Sequence, residues 1–111
     1  MSVQVLISQK GPLPITATFN APGDIVCYLE VNGSVWTQTA NQLIGIQVQF
    51  DGQNLGQANI FSNTSTTHRA VVPAYFKVAL KYGTQHKLVL SAAPGTTVSD
   101  FNDFFTAVLH Y

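Results

Sequence analysis

The sequence predicts an all-β fold, a single-domain jelly-roll β-sandwich spanning residues 1–111. Three observations lead there. Apolar residues recur at every second position in run after run, turn-forming dipeptides separate the runs at short intervals, and no window combines a 3.6-residue period with helix caps. About eight short strands at regular spacing are the pattern of a sandwich or jelly roll.

In chain order, Val3, Val5 and Ile7 alternate with Gln4, Leu6 and Ser8, and Ile15, Ala17 and Phe19 alternate with Thr16 and Thr18. Ile25, Cys27, Leu29 and Val31 form the next run. In LIGIQVQFDG, Ile44, Ile46, Val48 and Phe50 share one face, and Asp51-Gly52 supplies a hairpin signal. Ala74, Phe76, Val78 and Leu80 oppose Tyr75, Lys77, Ala79 and Lys81; Leu88 and Leu90 follow. The last run starts near Phe104. Gly11-Pro12, Pro22-Gly23-Asp24, Asn32-Gly33, Tyr82-Gly83 and Pro94-Gly95 mark further turns, and SNTSTTH (62–68) reads as a polar loop.

Charged residues make up only 9% of the chain, against roughly 25% in typical domains. Gln, Asn, Thr and Ser must therefore supply the polar surface, which suits neutral polar ligands or self-association. Formal charge sums to zero and the five basic residues form no run, so nucleic acid and anionic membranes are disfavoured as partners. No stretch reaches the ~18 apolar residues of a membrane span, so no membrane insertion is expected. No signal peptide is visible, and a soluble chain made in the cytoplasm is expected. The single cysteine, Cys27, excludes an intrachain disulfide and lies among alternating apolar residues, where it should be buried.

Nothing in the sequence assembles catalysis. His68, His86 and His110 are widely spaced and stand in no metal-binding frame, so each reads as a surface or strand histidine. No nucleophile elbow or phosphate-binding glycine loop occurs. Asp100-Phe101-Asn102-Asp103 gathers carboxylates and an amide, but lacks EF-hand spacing and reads as a turn bonding its own backbone. Asn32-Gly33-Ser34 and Asn63-Thr64-Ser65 match the glycosylation pattern and equally read as turns. No catalytic residue, metal or cofactor is expected.

A ligand site is expected instead around the only tryptophan, Trp36, in an uncharged polar stretch with Gln38 and Asn41. Sugars stack their C–H faces on aromatic rings and give their hydroxyls to amides and carboxylates. The competing reading is that Trp36 fills the core or a subunit seam, since Trp is highly buried on average. His68 and Arg69, beside the polar loop, are further candidate contacts, or residues that merely solvate a strand start.

The final run, FNDFFTAVLHY, is apolar on both faces. Phe105, Ala107, Leu109 and Tyr111 share one face; Phe104, Thr106, Val108 and His110 share the other. A sandwich core covers one face of a strand, so the second needs another cover. Other copies of the chain are the expected cover, with Phe105, Leu109 and Tyr111 as the subunit interface. This strand, with KYGTQHKLVLSAAPGTTVSDF before it, resembles the last strands of tumour necrosis factor and complement-head jelly rolls, bacterial small lectins and trimeric heads of that shape among them. The resemblance implies a homotrimer in which outer faces of terminal strands meet. The expected function is a non-enzymatic, oligomeric carbohydrate-binding protein that takes neutral glycans. The alternative is a structural trimerisation head with no small-molecule ligand.

Overall fold

A computed structural model describes residues 2–111. Its strands are β1 (Val3–Lys10), β2 (Ile15–Asn20), β3 (Ile25–Thr37), β4 (Gln42–Phe50), β5 (Gln53–Ser62), β6 (Arg69–Ala70), β7 (Ala74–Leu80), β8 (Gln85–Ala92), β9 (Thr97–Val98) and β10 (Phe104–His110). No helix occurs among the described residues, so none is long and apolar enough to cross a membrane.

All pairings are antiparallel and divide between two sheets. In the first sheet β1 pairs β10, β10 pairs β3, and β7 pairs the N-terminal half of β3. The short β6 and β9 pair the last residues of β3. The second sheet runs β2-β8-β4-β5. Leaving aside the two-residue strands β6 and β9, the chain crosses between sheets after every strand except β4, whose hairpin to β5 stays within one. That winding of eight principal strands is a jelly roll.

Alternation explains the core. Cys27, Leu29, Val31 and Val35 of β3 point inward and meet Ile44, Ile46 and Val48 of β4 with Leu88 and Leu90 of β8. Burying each such Leu or Ile contributes about 1.5–3 kcal/mol relative to leaving it exposed. At Gly33 the inward position needs no side chain, because a Cβ would stand 2.5 Å from the Phe105 ring. Gly33 is thus the socket in which that ring seats, directly opposite it in the ladder.

Two expectations are corrected. Phe105 and Leu109 are fully buried in the chain's own core, so they cannot form a subunit interface. The outward face of β10 carries Phe104, Thr106, Val108 and His110; Tyr111 follows the strand and stays partly exposed. In β1, a register shift between Val5 and Ile7 breaks the simple alternation. Val3 and Val5 face outward, while Leu6 packs on the core and Ile7 enters it, as a bulge that re-aims side chains would do.

Candidate functional site

Beyond Gly33, β3 turns Ser34 and Trp36 outward while Val35 and Thr37 stay buried. Two segments converge on this end of β3. One is the polar loop 62–68 with β6; the other is the turn from Ser99 to Asp103 that feeds β10.

The turn is held by its own polar groups. The Asp100 N–H donates to Asp103 Oδ2 (2.9 Å), and the Asn102 N–H donates to Asp100 Oδ1 (2.8 Å). The Gly11 N–H donates to the Asp103 carbonyl (2.9 Å), and at Gly11 a Cβ would lie 2.6 Å from the Asp100 carbonyl oxygen. Glycine therefore allows the β1–β2 connection to press against the turn. The self-bonding read from Asp100-Phe101-Asn102-Asp103 is present, but Asp103 does more.

Asp103 is fully buried. Its Oδ1 accepts the Ser34 hydroxyl (2.8 Å) and bonds His68 Nδ1 (2.6 Å). An ionised carboxylate can only accept, so Nδ1 carries the proton and the ring orientation is set from behind. His68 Nε2 lies 3.9 Å from Asp100 Oδ2, on side chains each about one-third exposed (34% and 38%). Neither atom has a hydrogen-bond partner among the described residues. The Trp36 ring stands 5.7 Å from the imidazole, and its buried Nε1 likewise lacks a partner among the described residues. Arg69 directs Nε to Ser62 Oγ (3.3 Å) and a terminal nitrogen to Thr64 Oγ1 (3.4 Å), which ties β6 to the polar loop.

Ser34 also belongs to a shallow cleft of about 270 Å³, lined with Asn32, Gly33, Ala70, Phe104 and Thr106. Phe104 and, in the turn itself, Phe101 (74% exposed) flank the acidic pair with accessible aromatic rings.

Of the residues singled out from sequence, Trp36 and His68 come together, with Arg69 next to His68 in the chain. Gln38 lines a different cleft of about 240 Å³ with Thr39, Gly95, Thr96, Thr97 and Val98. Asn41 is exposed in the turn before β4, in the left-handed region at φ 61°. Ser34, Asp100 and Asp103 were not anticipated as site residues. Asp103 reaches partners 35 and 69 positions away, a relation no local spacing encodes.

The arrangement limits the chemistry. Donor atoms of His68, Asp100 and Asp103 all lie within 4.8 Å of one another. Nδ1 and Oδ1 are committed to each other, so the trio presents two open donor atoms, against four ligands for structural zinc and six to eight for calcium. The Ser34 hydroxyl donates to Asp103 Oδ1 rather than to His68, so no serine–histidine pair is formed. The other histidines are built into the frame. Buried His86 stacks on Phe50 (5.3 Å) and bonds Asp51 through Nδ1 (2.7 Å). His110 bonds Glu30 through Nε2 (2.7 Å).

No family model matches the chain, and no curated protein is similar to it in sequence. Solved structures do overlay on it. The C-terminal domain of EclA, described as a sugar-binding protein, is 14% identical over 99% of this chain and 78% of its own, with a TM-score of 0.49. The carbohydrate-binding module CBM36, solved with calcium and xylotriose, is 10% identical over 99% of this chain and 98% of its own, with a TM-score of 0.43. The CBM36-1 domain of a multidomain xylanase from the hindgut metagenome of Trinervitermes trinervoides is 8% identical over 99% and 96%, with a TM-score of 0.43. The likeness lies in the course of the chain, and no residue role is carried across from it.

Proposed function

We propose that this chain is a non-enzymatic binding module for neutral glycans, with its ligand lying across Trp36, His68, Arg69 and the 100–104 turn. One observation carries the reading: His68 Nε2 and Asp100 Oδ2 stand 3.9 Å apart, unpartnered among the described residues, the imidazole fixed through Nδ1 by buried Asp103 and the carboxylate held by the Asn102 N–H. Two adjacent sugar hydroxyls can donate here, one to the carboxylate and one to the unprotonated Nε2, since Nδ1 carries the ring proton. A hydrogen bond to a charged group contributes about 1.5–3 kcal/mol. Phe101 and Phe104 offer exposed rings to the C–H face of a pyranose. The near absence of charge elsewhere favours hydroxylated over anionic ligands.

A shallow site of this kind binds one sugar weakly, on the order of millimolar or −4 kcal/mol. Multivalency in a homo-oligomer, the trimer implied by the resemblance to tumour necrosis factor and complement heads, raises avidity by roughly 10²–10⁴.

A glycan array carrying neutral and anionic glycans tests the proposal, followed by titration of a hit against the fluorescence of the only tryptophan. A neutral glycan should bind, and His68→Ala and Asp100→Asn should each weaken it about tenfold, the loss of one hydrogen bond. An array without neutral hits, or a hit bound equally well by both variants, would overturn the assignment.

A further inference from the structure

We infer that the outward face of the β1-β10-β3-β7 sheet is an interface between copies of this chain; the inference rests on the oligomeric part of the proposal above and names the surface it uses. The two sheets of the sandwich treat their outer faces differently. On the second sheet, the ladder brings Ser91, Gln47 and Gln57 into one row and places Gln49 beside Asn54, so the middle of that face is furnished with amides and hydroxyls, and its large exposed apolar residues are confined to one end row, Leu43 beside Phe61. On the first, Val5 pairs Val108, which pairs Glu30, which pairs Tyr75; the adjacent row runs Val3, His110, Tyr28, Lys77. An antiparallel sheet with a wet outer face is expected to alternate apolar-in and polar-out. The second sheet largely does so, and the first does not.

The size of the patch fits a second copy. Val3, Val5, Val26, Tyr28 and Tyr75 are each more than half exposed, and with partly exposed Val108 they present on the order of 500–600 Å² of apolar side chain. That is the upper end of what a monomer leaves uncovered, and it approaches the ~800 Å² that each partner contributes to a standard interface. The chain carries no formal net charge, so copies approach without repulsion.

The one acid in these rows does not obstruct dehydration. Glu30 sits at the centre of the face and is already paired within its own chain, to His110 Nε2 (2.7 Å) and by the Tyr75 hydroxyl (3.1 Å). Covering the face therefore buries a satisfied polar cluster instead of a lone carboxylate, which would cost several kcal/mol. Lys77 lies on the flanking strand β7, from which a long stem can carry its ammonium to water. Along β3, Tyr28 and Trp36 are eight residues apart, roughly 26 Å at strand rise. Assembly through this face leaves the His68 surface open.

Sedimentation velocity of the full chain, from low micromolar to near-millimolar concentration, tests the inference. The native chain should sediment as two or more copies. Val5→Lys and Val26→Lys, at positions 60% and 59% exposed that tolerate lysine in a monomer, should each raise the dissociation constant about a hundredfold without changing the circular dichroism. Gln47→Lys, on the other outer face, should leave assembly intact. A native chain that stays monomeric throughout would overturn the inference, whatever other partner the face then takes. An oligomer unaffected by both valine substitutions would also overturn it, while leaving oligomerisation standing. Tryptophan fluorescence with the array hit separates this from the glycan proposal: the Val5→Lys monomer should keep the single-site affinity, and a native chain with no response fails that proposal alone.

Discussion

Removing the carboxylate of Asp103 should destabilise the fold as well as the site. In Asp103→Ala three donors lose their acceptor: the Ser34 hydroxyl at 2.8 Å, the His68 Nδ1–H at 2.6 Å and the Asp100 N–H at 2.9 Å. A buried donor left unpaired costs about 1–3 kcal/mol, more where the lost partner was charged. The His68 side chain is 34% exposed and recovers part of its loss from water. The expected penalty is about 3 kcal/mol for Asp103→Ala and about 2 kcal/mol for Asp103→Asn, whose amide turns an NH₂ toward one of the donors. Urea unfolding followed by circular dichroism reads this as a lower midpoint at unchanged slope. The melting temperature should fall by roughly 10–15 °C for the alanine variant. His68→Ala should cost much less, about 1 kcal/mol, because the acceptor it leaves still holds Ser34. A shift below about 1 kcal/mol in Asp103→Ala would refute the reasoning, since it would mean that water replaces the carboxylate as an acceptor.

Other expectations follow from the same geometry. Leu109→Asp should unfold the chain, by more than about 4 kcal/mol, because an unpaired charge would enter a fully closed core; a folded Leu109→Asp chain that had merely lost its assembly would contradict the face assignment. Burial pushes the Cys27 thiol above its ordinary range, so iodoacetamide should modify it only after unfolding, and rapid labelling of folded protein would place it outside the core. The hydrogen bond to Glu30, and then the charge of Glu30, hold the Tyr75 phenol above the usual tyrosine range. A raised folded-state pKa means the folded chain keeps this proton longer, so its stabilising contribution is present below about pH 10 and is lost as pH rises through the folded value. Spectroscopic titration should show Tyr75 ionising at lower pH in Glu30→Gln than in the native chain, and identical titrations would remove Glu30 as the cause.

Much of the framework was legible because strand alternation and turn residues are local signals. Ile44, Ile46, Val48 and Phe50 point inward as their spacing requires, and Asp51-Gly52 closes the β4–β5 hairpin. The facing of β10 was not legible. Phe105, Ala107 and Leu109 are hardly more apolar than Phe104 and Val108, and the deciding contact is the socket that Gly33 offers to Phe105 across the ladder. The bulge in β1 was hidden for a similar reason: Val5, Leu6 and Ile7 are all apolar, so the sequence carries no sign of which pair is re-aimed. At the candidate site, Trp36 and His68 were visible as residue types. Asp103 was visible only as a turn former, because the backbone alone brings it to Ser34 and His68.

The central claim is that the surface of Trp36, His68, Arg69 and the 100–104 turn takes a neutral glycan. Titrating a neutral array hit into ¹⁵N-labelled protein, with amide and indole N–H resonances recorded, tests it most directly. Saturable shifts should centre on the Trp36 indole and on the amides of His68, Arg69 and residues 100–104, and the outer face of the second sheet around Gln47 should stay silent. Saturable shifts confined to Gln47 and its neighbours, or no shifts at any ligand concentration, would contradict the account.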